Sequence, residues 1–115
     1  MAARMMLSER TCKPCTSRTK PVPPDRARKL LAEIPGWALS RAGVLRRTVR
    51  FEDFTVLMAF VNDLAVLAEE QGHHPDFRVR YARLDLELST HAIDALSEND
   101  FILAARINDL LGDRA

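Results

Sequence analysis

The chain has 115 residues, 47% of them hydrophobic and 29% charged, which suits one globular domain with a single core and no more than one. A net charge of +1 argues against a molecule built as a whole to bind nucleic acid or an anionic membrane. No apolar run approaches the roughly 18–20 residues needed to span a bilayer, so a cytoplasmic protein without a membrane partner is expected.

The charge is unevenly placed. Residues 1–29 carry eight basic side chains, from Arg4 to Lys29, against two acids, Glu9 and Asp25; the remaining chain carries nine basic and fourteen acidic ones. Residues 1–22 therefore read as a flexible basic leader, and 23–115 as the domain. The leader lacks the uninterrupted apolar stretch of a secretory signal. Its Arg- and Ser/Thr-containing, acid-poor composition also fits an organelle transit peptide, although its helical amphipathicity is poor. Both cysteines, Cys12 and Cys15, lie in it as Cys-x-x-Cys. A structural zinc site needs four ligands, and no second cysteine pair exists to complete one. A redox pair would follow a strand and open a helix. The leader offers neither context, so two reduced thiols on a mobile tail are expected.

The leader ends in Pro21-Val22-Pro23-Pro24, which forbids helix up to Pro24; that proline can then stand at the first helical position. Ala27, Leu30, Leu31 and Ile34 follow at helical spacing, and Pro35-Gly36 ends that helix. Trp37 to Ser40 and Val44 to Phe51 read as strands about a turn. The second has Leu45, Arg47, Val49 and Phe51 on one face and Val44, Arg46, Thr48 and Arg50 on the other, as in a sheet solvated on one side. The longest helix is expected from about Glu52 to Gln71, with the stripe Phe54, Leu57, Met58, Val61, Leu64, Ala65 and Ala68, and Gly72 as its stop.

Phe77, Val79 and Tyr81 alternate with Arg78 and Arg80, and Leu84, Leu86 and Leu88 with Asp85, Glu87 and Ser89, giving two more strands. Ser97-Glu98-Asn99-Asp100 opens the last helix as a capping box, with Ile102, Ala105, Ile107 and Leu110 or Leu111 on its buried side. The order αββαββα predicts an α+β domain, a four-stranded antiparallel sheet with three helices packed on one face. The strand arginines Arg46, Arg50, Arg78 and Arg80 read as a solvated sheet face, since a nucleic-acid surface would interleave aromatic residues and aromatics are only 6% of the chain.

Every histidine lies between residues 73 and 91: His73, His74 and His91. An antiparallel hairpin between Phe77 and Ser89 brings the residue before its first strand close to the residue after its second, so the three can converge. Glu69 lies four residues before His73, where a carboxylate could orient an imidazole and favour its protonated form. Adjacent histidines seldom both ligate one ion, and no cysteine lies in the domain, so no metal is expected.

The run Glu69-Glu70-Gln71-Gly72-His73-His74-Pro75-Asp76-Phe77, then Tyr81, then Leu88-Ser89-Thr90-His91 and Leu96-Ser97-Glu98-Asn99-Asp100, resembles the signature of the pterin-4a-carbinolamine dehydratases. The spacings match without gaps over residues 69–100. A looser likeness, through Pro35-Gly36-Trp37 and Phe51-x-Asp53-Phe54, extends over about residues 25–111. Two departures stand out: Phe77 replaces a common Trp, and Ala95 replaces a common Gly. If that second position requires positive φ, Ala95 carries strain.

The resemblance implies dehydration of 4a-hydroxytetrahydrobiopterin to quinonoid dihydropterin, recycling the cofactor of aromatic amino acid hydroxylation, by a hydro-lyase that needs no metal and no organic cofactor. It implies His73 and His91 as the proton-transfer pair and His74 as a pterin-holding residue. Glu69 would orient His73, Asp100 would support the Thr-His loop, Phe77 would line the ring pocket, and Pro75 and Thr90 would be further substrate-binding or supporting residues. The expected partners are a pterin substrate and a second copy of the chain, in a homodimer or homotetramer, with no direct nucleic-acid contact. Two alternatives follow from the same likeness. One is a protein-interaction role, stabilising dimers of a transcription factor through the apolar Met58–Leu67 helix stretch. The other is a divergent member handling a pterin of molybdopterin metabolism.

Overall fold

A computed structural model of the chain describes residues 6–112 and 114; Arg4 of the basic leader lies outside the described residues. The helices are α1 (Pro24–Leu31), α2 (Phe54–Gln71) and α3 (Glu98–Leu111), and the strands are β1 (Ala38–Leu39), β2 (Leu45–Arg50), β3 (Asp76–Arg80) and β4 (Arg83–Leu88). They form one antiparallel sheet in the order β1-β2-β4-β3, covered on one face by the helices. The expected α+β fold and its element order are what the chain adopts.

Local chemistry explains the boundaries. Pro24 occupies the first position of α1, where a missing N–H costs nothing. Asp53 caps α2, its side chain accepting from the Val56 N–H at 2.9 Å, so the helix opens two residues later than Glu52. At its other end Gly72 takes the left-handed conformation, φ 61°, and its N–H closes on Ala68 and Glu69 carbonyls. The Ser97 N–H donates to Asp100 Oδ2 at 2.9 Å, the backward half of the capping box that opens α3.

Strand alternation sorts the sheet into two faces. Leu84, Leu86 and Leu88 are buried in β4, as are Leu45 and Val49 beside them in β2. On the outer face Arg46 pairs with Glu87 at 3.1 Å, and Asp85 accepts from Thr48 at 2.8 Å and from Arg83 at 3.0 Å. These bonds, first of all those from Arg83 and Thr48, hold the Asp85 carboxyl below the usual range. The strand arginines thus face solvent among acids, as the sequence indicates. At one sheet edge Arg47 and Trp37 both donate to Asn108 Oδ1, the indole at 2.8 Å. Gly36, at φ 88°, lies so close that a Cβ there would stand 2.8 Å from Arg47 Cζ.

Three details depart from the expected pattern. The buried stripe of α2 is Leu57, Phe60, Leu64 and Ala68; Phe54 is 47% exposed and Ala65 also faces out, so Phe60 is the aromatic anchor. Tyr81 is not a strand residue. It stands in the β3–β4 turn at φ 51°, largely exposed. The first half of α3 is buried all round, from Asn99 to Ala105, rather than along one stripe.

Part of that enclosure comes from residues 6–22. A 3-10 turn at Leu7–Glu9 packs on α3, and Leu7 and Cys12 join the main core. Asn99 forms a two-way amide pair with Lys13, accepting its N–H at 2.9 Å and donating to its carbonyl at 2.6 Å. The Cys12 N–H donates to Gln71 Oε1 at 2.9 Å, and Arg106 donates to the Arg10 carbonyl at 2.7 Å. Arg10 and Arg26 both reach Glu98, at 2.9 and 3.4 Å. Burial of Glu98 favours its neutral form, yet the two guanidiniums prevail and hold its pKa down.

A lowered folded-state pKa gives stability that is present above the unfolded-state value and lost as pH falls through the folded one. Wild type is expected to withstand urea better than Glu98→Gln at pH 7. That advantage should vanish as pH falls below about 4, where a free glutamate protonates. An advantage that is independent of pH in paired urea titrations would contradict this linkage.

Candidate active site

Two chain segments meet at one end of the β3–β4 hairpin. The first leaves α2 through Gly72, with the His73 N–H bonded back to the Ala68 carbonyl at 3.3 Å, so that His73 is tied to the helix end. The second leaves β4 through Ser89 and forms a turn over residues 91–94. The turn is closed by a bridge between Thr90 and Ala95, in which the Thr90 N–H donates to the Ala95 carbonyl at 2.8 Å. Positive φ falls on Asp94, at 54°, and not on Ala95. Aspartate tolerates this region better than most side chains, so the turn does without a glycine.

The three histidines converge. His73, His74, Ser89, Thr90 and His91 line one cavity of about 210 Å³, together with Gly72, Ala92 and Cys15. Each imidazole has a carboxylate partner. His73 is buried, and its Nε2 lies 2.6 Å from Asp100 Oδ1. His74 and His91 are exposed; Nε2 of the former is 3.4 Å from Glu69 Oε1, and Nε2 of the latter is 3.5 Å from Asp76 Oδ2.

Asp100 is fully buried, and both its oxygens are engaged. Oδ1 faces His73, while Oδ2 accepts from the Thr90 hydroxyl at 2.8 Å and from the Ser97 N–H at 2.9 Å. Thr90 and Ser97 hydroxyls are themselves 2.6 Å apart. One carboxylate therefore fastens the helix start, the buried histidine and the root of the loop that carries His91. With the carboxylate as acceptor throughout, the hydrogen of the His73–Asp100 bond is carried by His73 Nε2.

The supporting residues are distributed differently from the sequence expectation. Glu69 reaches His74 rather than His73, because His73 follows the left-handed Gly72 and leaves the helical path. Phe77 is off the cavity wall. It stands opposite Leu86 on edge strand β3, half-exposed, beside a separate concavity of about 480 Å³ that contains no histidine. Alternation sends Asp76, not Phe77, toward His91. Pro75 is half-buried between His74 and β3 and does not line the cavity either. The sequence reading missed Asp76, Ser97 and Cys15. Asp76 had a signal, since it begins the strand whose partner ends next to His91. Cys15 had none, because only tertiary packing brings residues 6–22 here. Among the described residues, no three His, Cys, Asp or Glu side chains are grouped as a metal site.

The model of the family described as pterin 4 alpha carbinolamine dehydratase matches residues 20–110. A protein of Stenotrophomonas maltophilia (strain K279a) named "Putative pterin-4-alpha-carbinolamine dehydratase" is 44% identical over 111 residues, covering 96% of each chain. Among solved structures, a transcriptional coactivator/pterin dehydratase from Brucella melitensis superposes with a TM-score of 0.78 at 26% identity, over 81% of this chain and all of the other. A pterin dehydratase-like protein described as a RuBisCO assembly factor in the alpha-carboxysome superposes with a TM-score of 0.58 at 25% identity, over 67% of this chain and 90% of the other. With the family match spanning most of the chain and a relative of this identity matching nearly end to end, the chain belongs to the pterin-4-alpha-carbinolamine dehydratase family.

Proposed function

We propose that the protein dehydrates 4a-hydroxytetrahydrobiopterin to quinonoid dihydropterin, with the histidine cavity as its active site. The observation that carries this reading is the convergence of three imidazoles, each beside a carboxylate, on one small cavity. At about 210 Å³ the cavity is below the roughly 300–1,000 Å³ of drug-sized pockets and suits a small flat ring.

The reaction breaks the C4a–O bond and removes the proton on N5. Hydroxide is a poor leaving group, so the oxygen must be protonated as it departs, while the N5 lone pair forms the new C4a=N5 double bond. Water is the second product, and one proton taken from N5 balances one given to oxygen. Imidazoles, with unperturbed pKa values near 6.5, serve both tasks near neutrality. His73 takes the N5 proton on Nδ1, because the Asp100 carboxylate behind Nε2 stabilises the imidazolium that forms. His91, exposed and beside Asp76, gives a proton to the leaving oxygen. His74, with Glu69, holds the pterin ring. Thr90 acts through Asp100, and Phe77 and Pro75 act on the local backbone rather than on the ring. No metal or organic cofactor enters this scheme. In the cytoplasm the reaction would recycle the pterin used by an aromatic amino acid hydroxylase.

A second reading has a specific observation behind it. Phe54 and Val66 are 47% and 59% exposed on α2, which leaves apolar surface for a second copy of the chain or for another protein. We propose a homodimer or homotetramer on the same grounds.

His73→Ala and His91→Ala are each expected to lower turnover of enzymatically generated 4a-hydroxytetrahydrobiopterin roughly 10²–10⁴-fold, with unchanged far-ultraviolet circular dichroism. Full activity in both variants would discard the proton-transfer pair. Asp100→Asn replaces one acceptor oxygen by a donor among groups that already donate. It should cost about 1–3 kcal/mol in urea unfolding and also lower turnover when assayed well below the unfolding transition. Loss of stability with wild-type turnover would confine Asp100 to a structural role.

A further inference from the structure

The Cys-x-x-Cys segment has no part in the reaction above, yet it reaches the cavity. Cys15 is one of the residues lining the histidine cavity, and it lies outside the 20–110 stretch matched by the family model. Two residues, Asn99 and Gln71, hold its position. The Asn99 side chain fixes the Lys13 backbone by a two-way amide pair and donates from Nδ2 to Cys15 Sγ at 2.9 Å. Gln71, the last residue of α2, accepts from the Cys12 N–H, and the Cys12 thiol lies 3.5 Å from the Asn99 carbonyl. Asn99 is buried and its bonds to Lys13 and Cys15 are partly buried, so water competes with them less than at the open surface.

Asn99 and Asp100 are consecutive in the first turn of α3. One holds the segment that carries Cys15, and the other holds His73. The wall made by the N-terminal segment is thereby fixed relative to the buried histidine by a single helical turn. A half-buried thiol on the wall touches what fills the space, and it offers a compact, polarisable, weakly polar edge where a longer side chain would take up volume.

We propose that Cys15 is a substrate-contacting residue that limits which pterin fits the cavity, and that Asn99 is the positioning residue that holds it there. The proposal rests on the reading of the cavity as a pterin site. Its size restriction acts on binding, not on the proton transfers, because Cys15 neither replaces nor contacts a member of the imidazole–carboxylate pairs among the bonds described.

The direct test is alkylation of the full-length, reduced protein by iodoacetamide, followed by mass spectrometry, with and without 7,8-dihydropterin. That compound has the ring system but no 4a-hydroxyl, so it binds without reacting. Cys12 is an internal control. It is buried, and burial pushes its thiol up to about 11, so it should label slowly in either case. Saturating dihydropterin, with occupancy followed by its fluorescence, is expected to slow Cys15 labelling at least fivefold. In parallel, Cys15→Phe should raise KM for 4a-hydroxytetrahydrobiopterin at least tenfold with kcat within threefold of wild type. Asn99→Ala should raise KM likewise and speed labelling of both cysteines. Bound dihydropterin without protection of Cys15 overturns the proposal and leaves the dehydratase reading standing. Protection in a wild-type protein that shows no turnover upholds the contact and overturns the dehydratase reading. Absence of both dihydropterin binding and turnover overturns both, and turnover with an unchanged KM in Cys15→Phe overturns the proposal alone.

Discussion

A carboxylate removed from water needs hydrogen-bond donors on both of its oxygens, and the fully buried Asp100 has them. Its burial is complete, and its two oxygens draw in a histidine ring, a threonine hydroxyl and a backbone N–H from three parts of the chain. Leaving any of these groups unpaired would cost on the order of 1–3 kcal/mol, a large share of the stability of a domain this small. The arrangement of the site is therefore bound up with the folding of α3. The carboxylate that caps the start of the helix also positions His73 and the root of the His91 loop.

This dual use explains why α3 is enclosed all round at its first two turns. A buried charge network is weakened by stray water, and the surrounding side chains and the Leu7–Cys12 segment exclude it. The N-terminal segment, whatever its other roles, completes the core around the most polar part of the interior.

Much of this was legible in the sequence, and for identifiable reasons. The alternation in Leu84, Leu86 and Leu88, the caps at Ser97 and Gly72, and Pro24 at a helix start are local signals. They depend on neighbours in the chain, and the structure keeps them. The meeting of His73, His74 and His91 also follows from local geometry, since a short hairpin must return its ends to one place. What could not be read was the choice of partner. Glu69 has correct helical spacing for His73, but one left-handed residue turns His73 inward and leaves His74 in reach. Phe60 replaces Phe54 in the α2 stripe because the sheet and α3 decide which side of an apolar helix is covered. The packing of Cys12 and the placing of Cys15 come from Asn99 and Gln71, residues more than fifty positions away that carry no periodic signature.

The closed turn over residues 91–94 has a kinetic consequence. His91 is 74% exposed, but its backbone is pinned between the Thr90–Ala95 bridge and the buried Thr90 hydroxyl. Its freedom is that of a side chain, with rotamer changes on the picosecond-to-nanosecond scale, not that of a flap that opens in microseconds to milliseconds. A ligand can therefore enter or leave this cavity past a swinging imidazole without waiting for the loop to unlatch.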